Sequence, residues 1–275
     1  MLKWRAIWAI WTALGIGPAY ANVALLLEEP FGGFWSMNPA HSAIYLSRMC
    51  VDSPLSLRRC TPGEQGTVIS RYHKIDGWDW IAIPVIPYLY AVERPDQLPR
   101  AATRQQIAQF RDAYRRSHLE EVAPDRSDGS PPSGNWTELV GEAYDRAIYG
   151  FEIETTVEQD ERLMRELQSR PNRARYNLLF RNCADFVREV FNFYFPKALH
   201  RGFIPDVGIM TPRQAAKCLI RFARQHRQLR LSIFAIPQVP GPKPRSKTMQ
   251  GILSMTKPEE YSIAPFQIGA RNSPD

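Results

Sequence analysis

Residues 182–196 carry the pattern that most restricts the fold. Asn182 is a strong helix N-cap. After it Cys183, Phe186, Val187, Val190, Phe191 and Tyr194 recur at i, i+3, i+4, i+7, i+8 and i+11, before Pro196 closes the run. That spacing predicts an α-helix with one continuous apolar stripe, which another element has to cover. Cys183 falls in the first turn of this helix, on its buried face. Partial positive charge at a helix N-terminus favours a thiolate, so the position itself lowers a cysteine pKa.

The covering element reads as a small sheet. Val23–Leu27 is a short apolar run, Ala40–Leu46 is a strand with Ile44 and Tyr45 as strand formers, and Gly66–Tyr72 alternates after the Pro62-Gly63 turn. Trp78–Val92 is aromatic and β-branched but interrupted by Pro84 and Pro87, which predicts an edge strand or extended wall. Helical spacing marks residues 101–122, a second helix is expected over 139–147, and a charged helix over 157–169. Tyr149–Thr156 and Leu229–Ile236 read as strands, and Thr211-Pro212 opens a helix running to about Arg227. Residues 125–135 form a loop and 237–248 a Pro-rich extended segment. The fold class expected is α+β: a small antiparallel sheet packed on the cysteine-bearing helix.

His41 opens the Ala40–Leu46 strand. A thiol and an imidazole are the minimum parts of a thiol nucleophile and its base. His118, His200 and His226 lie among charged neighbours and read as surface residues. The other cysteines have structural readings. Cys50 and Cys60 flank the turn-like Val51-Asp52-Ser53-Pro54, and an oxidising compartment would join them in a local disulfide, two free thiols being the alternative. Cys218 sits in a helix near Ala215, Leu219 and Phe222, as a buried thiol would. No CxxC or HExxH spacing occurs, so neither a metal site nor a cofactor is expected.

The N-terminus reads as an address. Lys3 and Arg5 precede the apolar Ala6–Gly17, and Ala19-Tyr20-Ala21 has the small-x-small form of a cleavage site. The apolar run is shorter than the roughly 20 residues of a transmembrane helix. Residues 1–21 are therefore expected to be a signal peptide, giving a secreted or periplasmic product with no integral span after cleavage, a retained N-terminal anchor being the alternative. The net charge of +7 comes from interspersed basic and acidic residues with no Lys/Arg block, which argues against a nucleic-acid partner.

His-x-Ala-Ile-Tyr-Leu on a strand, followed much later by Tyr-Asn-Leu-Leu-x-x-Asn-Cys-x-x-Phe-Val, resembles the circularly permuted papain-like superfamily. Permuted NlpC-type peptidases and amidases, the lecithin:retinol acyltransferase group and Lnb-type periplasmic domains belong to it. Circular permutation puts the histidine before the cysteine, as His41 precedes Cys183. The resemblance covers residues 22–196, with 97–170 a helical elaboration between its motifs; the domain expected spans 22–236, and 237–275 is a Pro-rich C-terminal extension. It implies Cys183 as cysteine nucleophile and His41 as base. Such families place a third polar residue on the strand after the histidine strand; His73 is favoured for it here, with Ser70 the alternative. The function expected is that of an exported thiol hydrolase (a thiol protease or amidase) or acyltransferase, working through an acyl-enzyme. Its substrate would be a cell-wall peptide, lipid or protein amide or ester. A non-catalytic envelope-binding or structural domain on the same fold is the alternative.

Overall fold

The computed structural model describes residues 21–30, 40–73, 75, 77–202, 208–246 and 261–263. The expected leader lies almost wholly outside these residues, as does most of the C-terminal extension. Of the expected signal peptide only Ala21 is described, as the first residue of a strand.

Alternating apolar side chains build the centre of the molecule. Strand β1 (Ala21–Glu28) sends Val23, Leu25 and Leu27 to one face and Ala24 and Leu26 to the other, all buried. A strand buried on both faces belongs in the middle of a sheet. β1 pairs antiparallel with β2 (His41–Leu46) on one side and, across the sheet, with β7 (Ile148–Thr155). The strands β5 (Thr67–Ser70) and β6 (Ile81–Pro84) continue the sheet beyond β2, and β8 (Leu231–Ile236) continues it beyond β7. These six strands are antiparallel, in the order β6-β5-β2-β1-β7-β8. A short β9 (Tyr261–Ile263) adds parallel to β8 at the edge. Gly150 lies opposite Phe234, where a Cβ would overlap the aromatic ring, so close strand approach requires glycine there.

Each face of the sheet carries helices, giving a mixed α+β architecture with five α-helices among the described residues. On one face lie α3 (Val157–Gln168), α4 (Cys183–Tyr194) and α5 (Pro212–Gln225), packed over Leu25, Ile44, Ile69 and Phe151. The stripe read from the sequence is the buried side of α4. Tyr194 Oη donates to Asp160 Oδ1 at 2.8 Å, tying α4 to α3. The opposite face is covered by α1 (Val85–Tyr90), α2 (Arg104–His118) and the turns around residues 136–144.

Two expectations are corrected. Trp78–Val92 is not one extended segment: the edge strand β6 ends at Pro84, and α1 follows until Ala91 adopts a left-handed φ of 52°. Pro87 is tolerated because it occupies the third helical position, where no intrahelical carbonyl awaits its N–H. The helix expected over 139–147 is instead a pair of short 3-10 turns, Trp136–Glu138 and Glu142–Tyr144. Gly141, at φ 77°, breaks the run, and the buried Arg111 takes the Val140 and Gly141 carbonyls at 3.0 Å each. The Pro-rich stretch after β8 lies on the core, with Val239 N–H on the Ala143 carbonyl and Ala102 N–H on that of Pro240.

A separate hairpin, β3 (Met49–Ser53) with β4 (Ser56–Arg59), carries a Cys50–Cys60 disulfide. The bridge closes a loop of sequence separation 10, and loops of that order lose about 2–3 kcal/mol of stability when opened. The double substitution Cys50→Ser/Cys60→Ser is expected to lower the urea unfolding free energy by that amount. An unchanged midpoint would show that the hairpin holds without its covalent link.

Candidate thiol–imidazole site

The cysteine is held by the start of its helix. Asn182 Oδ1 accepts the Asp185 N–H at 3.0 Å, while Asp185 returns a carboxylate to the Asn182 N–H at 3.3 Å, a reciprocal cap. The Asn182 amide also donates to the Leu178 and Met210 carbonyls, both at 2.9 Å. One side chain thus fixes the approach loop, the helix start and a distant segment together. Asp185 is fully buried, and Arg201 pairs with it at 2.7 Å. That pairing offsets a negative charge two residues from the sulfur.

His41 comes to this helix from β2. Strand alternation puts Ser42 on the α4 face with Ile44 and Leu46, and His41 on the other with Ala43 and Tyr45. These two residues at the start of the strand act on the Cys183 thiol: the charge and hydrogen bonding of His41, and hydrogen bonding from Ser42, favour the thiolate. Burial pushes the Cys183 thiol up; His41 and Ser42 pull it down, and the balance lies below the ordinary thiol value. Cys183 is buried, with 7% of the residue exposed.

The polar group against the imidazole is Ser70. Its Oγ lies 3.0 Å from His41 Nε2 and 2.9 Å from the Ser42 carbonyl. A carbonyl only accepts and a hydroxyl has one proton, so Ser70 donates to Ser42 and accepts from His41. In this arrangement the imidazole proton sits on Nε2 and the lone pair on Nδ1. His73, favoured from the sequence, stands elsewhere: it is exposed in a turn beyond the strand end, its ring 5.0 Å from that of Tyr176. β5 ends at Ser70, so the alternation that would have carried His73 along the sheet stops three residues short.

Sequence reasoning missed the two residues after Ser70. Arg71 is buried, pairs with Asp79 at 2.7 Å and Glu189 at 3.2 Å, and reaches the Asn182 carbonyl at 3.4 Å. Tyr72 stacks on His41 with centroids 5.4 Å apart. The Ser-Arg-Tyr triplet therefore orients the imidazole, anchors the cysteine helix and covers the imidazole face. A charged residue closing an apolar run was the available signal. Opposite His41 in register stands Glu28, buried with Glu142 around the single guanidinium of Arg146. Burial raises both carboxyl pKa values, Arg146 only partly opposing it. Trp80 is core packing and Trp78 lies half-buried at the edge.

Among the described residues the one cluster with ligand-like spacing is Cys50, Cys60 and Glu64, and the disulfide removes both thiols from it. No described helix is long and apolar enough to cross a membrane. Comparison with protein-family models, curated proteins and solved structures finds no match to this chain.

Two outcomes follow from this geometry. Because its pKa is depressed, Cys183 should keep its iodoacetamide alkylation rate to lower pH than a free thiol. The rate should fall only as pH drops through the depressed value. His41→Ala leaves burial dominant, so the midpoint moves upward and the rate at pH 7 falls at least about tenfold. Mass spectrometry of the Cys183 peptide separates this signal from that of Cys218; an unmoved midpoint would refute the pairing. Tyr72 Oη is buried with no hydrogen-bond partner among the described residues. Tyr72→Phe should then keep or gain up to about 1 kcal/mol in denaturant unfolding, and a loss would reveal an acceptor for that hydroxyl.

Proposed function

We propose that the chain is an exported thiol hydrolase or acyltransferase built on a circularly permuted papain-like core. The observation that carries this reading is the His41 imidazole hydrogen-bonded to Ser70 Oγ at 3.0 Å, while the same histidine pulls the Cys183 thiol pKa down. Supporting it are a cysteine in the first turn of a helix packed on a sheet, a histidine on the facing strand and the histidine-first order. The local disulfide is compatible with an oxidising compartment.

In this reading His41 takes the thiol proton at Nδ1, and the Cys183 thiolate attacks the carbonyl carbon of an amide or ester. The Cys183 N–H, which no preceding helical carbonyl can accept, faces the developing oxyanion. The imidazolium returns its proton to the departing nitrogen or oxygen as the carbonyl–heteroatom bond breaks, leaving a thioester. Water or an acceptor nucleophile then loses a proton to His41, attacks the thioester and releases Cys183. Ser70 acts as a positioning residue, and its neutral oxygen stabilises the imidazolium less than a carboxylate would. The substrate classes that suit this chemistry are cell-wall peptides, lipid esters and protein amides.

An acyl-directed electrophilic probe should label wild-type protein at Cys183 and fail on Cys183→Ala and His41→Ala. Ser70→Ala should label on the order of 10–100 times more slowly, with the pH profile displaced as well as lowered. Labelling of both alanine variants at the wild-type rate would end this mechanism, and a Cys183 inert to every electrophile would favour a non-catalytic binding domain. Turnover screens across peptidoglycan fragments and phospholipids would then name the substrate.

A further inference from the structure

The loop leading into Cys183 turns its apolar side chains outward. Asn177 and Arg181 form an antiparallel bridge, with backbone bonds of 3.1 and 2.9 Å. Asn177 Oδ1 accepts the N–H groups of Leu179 and Phe180 at 2.9 and 3.0 Å. The tip of this turn is Leu178, Leu179 and Phe180, which are 67%, 44% and 62% exposed. Among the described residues these are the large hydrophobic side chains left on the surface. The tip is braced outward: Asn182 holds the Leu178 carbonyl, and Arg201 donates to that of Phe180 at 3.0 Å with its guanidinium 5.6 Å from the ring centroid. A turn tied by this many polar contacts does not fold its apolar residues inward.

The flanks are cationic. Residues 170–181 contain Arg170, Arg173, Arg175 and Arg181 and no acidic residue. Neighbouring carboxylates take some of this charge: Glu166 pairs with Arg170, and Asp79 with Arg181. Arg173 lies over the Trp78 ring and is exposed, as is Arg175.

We propose that residues 177–181 form a docking finger for an anionic lipid surface, Leu178, Leu179 and Phe180 entering the acyl region while Arg173 and Arg175 meet the headgroups. Three consecutive exposed apolar side chains at the tip of a tight turn suit a fluid apolar phase better than a shaped protein pocket. Arginines beside apolar residues, with a half-buried tyrosine (Tyr176) at the base, match the layering of a membrane interface. The finger stands on the loop alone and not on thiol chemistry, so Cys183→Ala protein should bind vesicles like wild type. Docking would bring Cys183, three residues beyond Phe180, close to the headgroup layer.

The test uses the full chain, so that the N-terminal apolar segment is the same in every arm. Hydroxyl-radical footprinting of wild type with phosphatidylglycerol-containing vesicles should abolish oxidation of Leu178, Leu179 and Phe180, and phosphatidylcholine vesicles alone should not. Leu178→Asp/Phe180→Asp should lose the part of vesicle co-sedimentation that depends on the tip, and Arg173→Glu/Arg175→Glu should weaken anionic-vesicle binding at least about tenfold. Unchanged oxidation of the tip on anionic vesicles overturns the proposal, as does equal protection on neutral ones. Protection that grows with protein concentration in the absence of lipid also overturns it, and assigns the tip to a second copy of the chain.

Discussion

The register between β2 and β5 is the constraint on which the rest of the site depends. Ile44 lies opposite Ile69, both facing the helix layer that contains α4. That pairing sends Val68 and Ser70 to the other face, beside Ala43 and His41. A slip of one residue would exchange the faces, taking Ser70 away from the imidazole. The apolar alternation that buries the sheet thus also sets the hydrogen bond that orients His41. Packing and site geometry are one problem here, solved by the same four-residue strand.

Charge is buried around this strand in matched groups. Arg71 has two carboxylates, Asp185 has Arg201, and Arg146 stands between Glu28 and Glu142. The last group is unbalanced, one guanidinium against two buried carboxyls. The raised carboxyl pKa values are the physical response, since protonation removes the charge that a dry interior cannot solvate. Tyr88 donates to Glu28, and Tyr72 fills the space between this group and His41. Tyr72 thus covers the imidazole face on the side of the sheet where Glu28 and Glu142 are buried.

Local patterns were readable where one period dominated. The α4 stripe, its Asn182 cap and the Thr211-Pro212 start of α5 all carry short-range signals, and the structure places them where those signals fall. The misreadings share a cause. In Val85–Tyr90, β-branched and aromatic residues with two nearby prolines suggest extended chain, yet both prolines fit the first turn of a helix. Over 139–147 the apolar spacing looked helical, but Gly141 supplies a left-handed residue and Arg111 draws its carbonyls away. Choosing Ser70 over His73 required knowing where β5 ends, which depends on its pairing with β2 and β6. Arg71 carried only the weak signal of a charge closing an apolar run, because its carboxylate partners lie 8 and 118 positions away.

The disulfide has a consequence for the order in which the chain is made. A polypeptide emerges N-terminus first, so Cys50 and Cys60 are both present, within one hairpin, well before Cys183 has been synthesised. Closing a short loop costs little entropy compared with joining distant segments. Two of the three cysteines that could form a wrong bridge with Cys183 are thus joined to each other within one hairpin. Cys218, the remaining thiol, becomes enclosed against Gln214 and His200 within the α5 packing. Sequence order thus acts as a protecting group: the hairpin cysteines pair locally, and packing separates the two thiols that follow.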